Sequence, residues 1–328
     1  MDRLFVTGAV VAAIGLGVAA GLPANAQDSF PVTFTHAFGE TTLEAIPERI
    51  VTVGWMSQDA VLALGAVPVG IPLQSWGGDE NGMLPWVTET LDTMGADYPQ
   101  RLDFGGNGNE IPFEQILALD PDLILAPYSG FDEIGYQRLA DIAPTIAYTD
   151  AMWSGTWQEI VSIAGRALGK TAEADAVIAE TEAIFAEIVA AHPGFAGKTF
   201  TFGYAYPGDA GMGVYVSTDP RVQMIEDMGL TLSPGAAALP TDQNFYVDVS
   251  LEELDTVTAD VLITWHDSEA DLEAIRANPV FARFAPVAND AHVALTDQSF
   301  SMALSAPSPL SIPWAMERFV PQLAEALD

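Results

Sequence analysis

The chain contains no cysteine and only two lysines among its 328 residues. Without cysteine it can form neither a disulfide framework nor the attachment point of a bacterial lipid anchor. Its 11 basic residues are outnumbered by 45 acidic ones, so the formal net charge is −34. A surface of this charge repels nucleic acid and anionic lipid headgroups. We therefore expect no nucleic-acid partner, and we interpret the acidic excess as a solvated surface suited, for instance, to saline surroundings.

Sequence signatures of catalysis are also missing. Both Gly-Lys-Thr segments, at Gly169 and Gly197, lack the glycine that opens a phosphate loop, and neither Gly-x-Ser-x-Gly nor His-Glu-x-x-His occurs. The histidines lie apart, without the spacing of metal ligands, at His36, His192, His266 and His292. We predict a protein that is not an enzyme and has no cofactor or metal ligands of its own. A secreted hydrolase, which would need a nucleophile and a base, is a distant alternative.

The first 26 residues have the pattern of a secretory signal peptide. The apolar run Leu4 to Leu22 follows Arg3 and ends in Pro23-Ala24-Asn25-Ala26, a small-residue cleavage site before Gln27. The alternative is a retained membrane anchor, because the run is almost long enough to span a bilayer. We predict cleavage of residues 1–26 and a periplasmic protein.

One long helix divides the rest of the chain. Apolar residues recur at helical spacing from Thr171 to Ala191, Gly169 precedes this segment, and His192-Pro193-Gly194 ends it. A helix of this length spans about 30 Å. We predict a bridging helix over 169–193 between an N-terminal lobe, 27–168, and a C-terminal lobe, 194–328.

The two predicted lobes repeat one plan. A short helix beginning near Glu114 leads to an apolar strand after Asp122, and the same arrangement recurs, 138 residues later, at Glu252 and Asp260. Alternating strands and helices predict parallel sheets. The fold class is therefore α/β, with two Rossmann-like lobes joined by a single long helix. We also expect a hairpin over 30–45 and a helix from Trp153 to Leu168.

Aromatic residues are concentrated where predicted loops leave the carboxyl ends of strands, the place where ligands of parallel sheets bind. Aromatic faces suit a large, partly apolar ligand, although each such residue could instead be part of the core. For three tryptophans on helices, Trp86, Trp157 and Trp314, we expect core positions. The candidate ligand-binding residues are Trp55, Trp76, Arg101, Tyr128, Tyr204, Tyr215, Arg221, Tyr246, Trp265, His266 and Phe300.

Several segments of the first lobe resemble one known family. They are Ile46-Pro47-Glu48-Arg49-Ile50-Val51, Ala63 to Gly70, Phe113 to Ile124 and Ile142-Ala143-Pro144-Thr145. They are similar to the helix-bridged solute-binding proteins of bacterial ABC importers, in the branch that binds iron–siderophore complexes and cobalamin. The resemblance implies two rigid lobes, a shallow cleft and a monomer that meets the permease and its ATPase. It also implies that Glu114 and Glu252 dock to the permease, although a carboxylate at a helix start can simply stabilise that helix.

The sparse basic residues narrow the ligand class. Ferric catecholates and citrates are anionic and call for clustered arginine, and few arginines fall near the predicted cleft. We therefore favour a neutral or cationic ferric hydroxamate, whose iron the chelator itself holds. A heme receptor with His266 or Tyr128 as axial ligand, a cobalamin receptor and a free-metal receptor are the alternatives.

Overall fold

The computed structural model describes residues 29–105, 110–241 and 245–328. The predicted signal peptide, 1–26, lies outside the described residues, as do parts of the predicted loops at 98–109 and 234–244. The first elements are β1 (Val32–His36) and β2 (Gly39–Leu43), an antiparallel hairpin where one was expected. Among the described residues, no helix is both long and apolar enough to cross a membrane.

The first lobe is built on a parallel sheet with the strand order β5-β4-β3-β6-β7. Its strands are β3 (Ile50–Thr52), β4 (Gly70–Pro72), β5 (Gln100–Leu102), β6 (Leu123–Ala126) and β7 (Thr145–Ala147). Its helices are α1 (Ser57–Ala63), α2 (Pro85–Met94), α3 (Phe113–Ala118), α4 (Glu133–Ala140) and α5 (Trp157–Ala167). Because the strands are parallel, their carboxyl ends lie at one edge of the sheet.

The bridging helix is α6 (Thr171–Ala191), which lies within the predicted segment 169–193 and is two residues shorter at each end. Gly169, at φ 65°, ends the preceding turn in a left-handed conformation that glycine adopts without strain. Phe185 and Ile188 are buried, while the acidic residues of the helix are mostly exposed. The helix contains neither glycine nor proline, so nothing in its sequence favours a kink.

The second lobe has a mixed sheet rather than a purely parallel one. Its strand order is β11-β9-β8-β12-β13, with β10 pairing to the start of β8. The strands are β8 (Thr199–Tyr204), β9 (Gly211–Tyr215), β10 (Thr231–Leu232), β11 (Tyr246–Ser250), β12 (Val261–Trp265) and β13 (His292–Leu295). Strand β9 is antiparallel to β8, to which a short loop joins it directly, and it is also antiparallel to β11.

Helices cover the second sheet and return the chain to the first lobe. They are α7 (Pro220–Asp227), α8 (Pro234–Ala237), α9 (Glu269–Arg276), α10 (Ala285–Ala288), α11 (Gln298–Ser305) and α12 (Ser311–Leu327), with 3-10 turns at Pro193–Phe195, Leu251–Val257 and Phe281–Arg283. The predicted helix at Glu252 is therefore a 3-10 turn. On α12, Trp314 is half-buried and its ring centroid lies 5.4 Å from that of Trp86 in the first lobe.

Side chains of the two lobes also form direct hydrogen bonds. Asp59 is completely buried, and its Oδ2 accepts from Ser308 Oγ in the second lobe at 2.6 Å and from Trp86 Nε1 at 2.7 Å. Elsewhere Trp76 Nε1 donates to Asp267 Oδ1 at 3.1 Å. Helix α6 is therefore not the sole connection between the lobes.

Candidate ligand-binding cleft

A cavity lies between the two lobes. Its volume is about 100 Å³, and residues of both lobes line it: Trp55, Tyr128, Trp153, Arg221 and Phe245. Three of these, Trp55, Tyr128 and Arg221, were predicted from the sequence, whereas Trp153 and Phe245 were not. The cavity is mostly aromatic and contains one charged side chain.

Trp55 and Tyr128 are brought together by the ends of neighbouring strands. β3 and β6 are paired in parallel, and beyond them the Trp55 amide donates to the Tyr128 carbonyl at 3.0 Å. Gly54 makes this approach possible, since it has φ 84° and a Cβ there would lie 2.1 Å from the same carbonyl oxygen. Burial raises the pKa of the Tyr128 hydroxyl, so this side chain stays neutral.

Trp153 corrects the predicted helix from Trp153 to Leu168. α5 begins only at Trp157, where Thr156 and Glu159 form a capping box, and Trp153 lies in the preceding loop at φ 56°. Its indole ring centroid is 5.7 Å from those of Trp55 and Tyr128. Recognising the capping box would have predicted the true start of α5, and Trp153 would then have been predicted to lie in the loop before it.

Arg221 contributes a charge that is already paired. Its Nη1 lies 2.7 Å from Asp219 Oδ2, and both side chains are almost completely buried. Burial acts to lower the pKa of Arg221, but the carboxylate of Asp219 raises it above its ordinary value. The guanidinium lies 4.3 Å from the ring centroid of Tyr215 and 5.8 Å from that of Phe245. Arg221 Nε is buried and has no hydrogen-bond partner in the described part of the chain, so it is a free donor.

A second group of aromatic residues surrounds Trp265 at the end of β12. Tyr204 stacks on Trp265 with centroids 5.2 Å apart, and Tyr206 and Trp76 meet its edges at 5.8 and 5.3 Å. Trp265 Nε1 donates to the Tyr215 hydroxyl at 2.7 Å, and burial raises the pKa of Tyr215 to about 12. Tyr246, on β11, contacts Tyr204 at 5.5 Å. We call Trp76, Tyr204, Tyr206, Tyr246 and Trp265 the aromatic wall.

The predicted residues of the aromatic wall, and Tyr215, are not among those that line the cavity. Three further candidates belong neither to the cavity nor to the aromatic wall. His266 is 1% exposed, and its Nε2 forms a 2.8 Å hydrogen bond with Thr264 Oγ1. Phe300 is 2% exposed on α11, not in a loop, and Arg318 lies over its ring at 4.2 Å. Arg101 lies on the edge strand β5. Strand-end position alone therefore does not identify a cleft residue, because the next side chain along the strand points to the opposite face.

The two candidate docking glutamates are exposed, one on each lobe. Glu114 is in the first turn of α3, beside an open surface depression that Phe113 and Arg138 also line. Glu252 is in the first turn of Leu251–Val257, and its amide donates to Ser250 Oγ at 3.3 Å. Ser250 caps that turn, and the Glu252 carboxylate also lies in its first turn, where it can stabilise the helix start.

Among the described residues, no group of three or more acidic or histidine side chains is arranged to hold a metal ion. What the cleft offers is aromatic surface, phenol and indole donors and one arginine. Two α/β lobes joined by one long helix, with such a cavity between them, define a helix-bridged solute-binding protein. The chain belongs to the periplasmic binding protein family, whose model matches residues 50–299, as the resemblance implied. This is a family of substrate-binding proteins.

Similar proteins support this assignment. The Fe(3+)-citrate-binding protein YfmC of Bacillus subtilis is 28% identical over 254 residues, 76% of this chain and 74% of that protein. The ferric enterobactin-binding periplasmic protein FepB of Escherichia coli is 26% identical over 299 residues, 86% of this chain and 89% of that protein. The crystal structure of Streptococcus pneumoniae PiaA in complex with ferrichrome has a TM-score of 0.82 and 31% identity, over 90% of this chain and 98% of that one. The predicted fold class is confirmed.

Proposed function

We propose that this protein captures a ferric siderophore of the hydroxamate type in the interlobe cleft and delivers it to an ABC importer. The observation that carries the proposal is the cavity itself, in which aromatic rings surround Arg221 and the arginine is neutralised by Asp219. The protein supplies contact and orientation, while the chelator holds the iron.

The charge of the cleft favours a ligand without net negative charge. Since the Asp219 carboxylate already balances Arg221, an anionic chelate would meet no uncompensated positive charge at this position. The acidic molecule as a whole also slows the approach of an anion and assists that of a cation.

The size of the cavity favours partial enclosure. Its volume of about 100 Å³ is smaller than the roughly 300 Å³ of a pocket that surrounds a drug-sized ligand. One side of a chelate would therefore enter between Trp55, Trp153 and Phe245, and the rest would lie against the aromatic wall. PiaA of Streptococcus pneumoniae, crystallised with ferrichrome, supports this ligand class.

The test is intrinsic tryptophan fluorescence of the protein beginning at Gln27, titrated with ferrichrome, ferrioxamine B, ferric enterobactin, ferric citrate, hemin, cobalamin and free ferric ion. We expect saturable quenching by a hydroxamate chelate and a much weaker response to its iron-free form. Comparable binding of ferric enterobactin would overturn the charge argument. A response to hemin alone, with a Soret shift, would establish the heme alternative, for which the buried Tyr128 and His266 would have to become accessible.

We further propose that the protein acts in the periplasm as a monomer after removal of residues 1–26. The apolar run and the Ala-Asn-Ala site before Gln27 support this location, and FepB of Escherichia coli is a periplasmic protein by name. In this proposal Glu114 and Glu252 dock to the permease, whose ATPase drives release.

A further inference from the structure

Trp153 has the most constrained geometry of the residues that line the cavity. A bulky aromatic residue rarely adopts φ near 56°, and strained backbone of this kind is concentrated at functional sites. The Trp153 amide donates to the Ser129 carbonyl at 3.0 Å, which ties the strained residue to the loop after β6. Its backbone is therefore fixed independently of any ligand.

The neighbouring residue of that loop, Gly130, supports the indole ring. A Cβ on Gly130 would lie 2.1 Å from Trp153 Nε1, 2.4 Å from Cε2 and 2.7 Å from Cζ2, so the ring rests directly on the glycine Cα. Gly130 has no positive φ, and its backbone could accommodate alanine. The close approach of Trp153 is thus the reason that this position requires glycine.

We infer that Gly130 is a positioning residue for ligand binding. Because it has no side chain, the Trp153 indole can pack against its Cα and line the cavity. An added methyl group needs about 3.4 Å of clearance where 2.1 Å is available, so the indole has to move by about 1.3 Å. The Trp55 and Tyr128 ring centroids lie 5.7 Å from that of Trp153, so a shift of this size disturbs both ring contacts. This inference rests on the proposed function for its ligand but not for its geometry.

The experiment is a double-mutant cycle of Gly130→Ala and Trp153→Ala, with ferrichrome binding and near-UV circular dichroism of the ligand-free protein as readouts. We expect each single variant to weaken binding about tenfold, the value of a lost aromatic contact, and the double variant to be no weaker than Trp153→Ala alone. Gly130→Ala should also change the near-UV spectrum, but not in the Trp153→Ala background. Gly194→Ala is the matched control, because a Cβ there meets nothing within 4 Å.

Multiplicative effects of the two substitutions, or wild-type binding and spectrum in Gly130→Ala, would overturn the inference. If Gly130→Ala does not fold, recovery of folding in the double variant supports the inference that Gly130 makes room for the Trp153 indole. Failure of the double variant to fold refutes it. If the wild-type protein binds no ferric chelate, the proposed function fails, whereas the spectra still decide whether Gly130 positions Trp153.

Discussion

Arg221 and Asp219 form an ion pair whose partners depend on each other, because neither charge is exposed to water. Replacing Arg221 by leucine leaves a buried carboxylate without its cation, which typically costs about 3–5 kcal/mol. We expect Arg221→Leu to lower the free energy of unfolding by this amount in urea titrations and to weaken ferrichrome binding.

The exposed pair of Arg318 and Asp297 supplies the control for this prediction. Its nitrogen and oxygen are 3.0 Å apart, but both side chains are nearly half-exposed, and such a pair contributes about 1 kcal/mol or less. Arg318→Leu should therefore change stability little and leave ferrichrome binding unchanged. Equal losses of stability in the two variants would contradict the assignment of Arg221 to a buried pair.

Asp59 makes the stability of the lobe contact depend on pH. Burial raises its pKa from 3.8 to about 6, so the folded state holds the proton more tightly than the unfolded state. The stabilisation is complete below the unfolded-state pKa and is lost as the pH rises through about 6. Asp59→Asn keeps an oxygen acceptor for Ser308 and Trp86 but cannot ionise.

Relative to wild type, Asp59→Asn should gain roughly 1 kcal/mol in unfolding free energy between pH 5 and pH 8. Urea denaturation at the two pH values measures this difference, and Asp175→Asn, on an exposed face of α6, serves as control. A pH-independent difference between Asp59→Asn and wild type would show that Asp59 keeps the same charge throughout.

For single residues, the sequence predicted that aromatic side chains and an arginine would line the cleft better than it predicted which ones would. Trp55, Tyr128 and Arg221 were found because each follows a readable strand or starts a helix. Phe245 was missed although it precedes Tyr246, since no pattern distinguishes which of two adjacent aromatics faces a cavity. Phe300 was misplaced because the Asp297 cap that begins α11 was not recognised as a helix start.

Each of the two sheets has an aspartate just before a central strand. Its carboxylate accepts hydrogen bonds from residues at or just before the start of the neighbouring strand. Asp122 accepts from the amides of Glu48 and Arg49 at 2.8 Å, and Asp260 accepts from the amide and hydroxyl of Thr199 at 2.7 Å. Their spacing of 138 residues was visible in the sequence. The repeated plan of the lobes thus extends to individual hydrogen bonds.

Removing this carboxylate should loosen the second sheet. The hydrogen bonds from Thr199 lower the pKa of Asp260, so its stabilisation is present above the unfolded-state pKa and is lost as the pH falls through the lowered value. Because Asp260 is exposed, we expect Asp260→Ala to cost about 1 kcal/mol at pH 7. Urea titrations at pH 7 and near pH 3 measure the effect, which should shrink at the lower pH.

Asp122→Ala in the first lobe should cost a similar amount. Asp255 is an exposed aspartate of the second lobe, like Asp260, and Asp255→Ala should cost almost nothing. A loss for Asp260→Ala that is the same at both pH values would contradict the role of the charged carboxylate.

Elements with strong periodicity and clear ends were predicted best. α6 covers the residues over which apolar side chains recur at helical spacing, Thr171 to Ala191, because glycine and proline bound that segment. β11 was missed, although Tyr246-Val247-Asp248-Val249 alternates, because it follows a long loop and lies at the edge of the sheet. Its antiparallel pairing with β9 depends on contacts between distant parts of the chain, which local pattern does not encode.

For the whole molecule, the way the lobes are joined favours a fixed spacing between their surfaces. α6 is unbroken, and hydrogen bonds from Ser308 to Asp59 and from Trp76 to Asp267 cross between the lobes. We expect a pair of charges on such a frame to keep its separation whether or not the cleft is occupied. Glu114 and Glu252 are the pair that the repeated plan places at equivalent positions.

The docking proposal predicts that transport and ligand binding can be separated. Glu114→Ala, Glu252→Ala and the double variant should bind ferrichrome with wild-type affinity, since both side chains are exposed outside the cavity. In cells that depend on this receptor for ferric hydroxamate uptake, each single variant should slow uptake and the double variant should nearly abolish it. Radioactive iron uptake measures the effect.

Glu187→Ala is the matched control, because Glu187 is an exposed glutamate on α6 and belongs to neither repeat. A general electrostatic attraction between the acidic protein and a basic permease would make all three glutamates similarly dispensable, given the net charge of −34. The protein has 45 acidic residues. If docking is specific, removing the charge of Glu114 or Glu252 slows iron uptake, whereas removing that of Glu187 does not. Unchanged uptake in the double variant would refute docking through this pair and leave ligand capture intact.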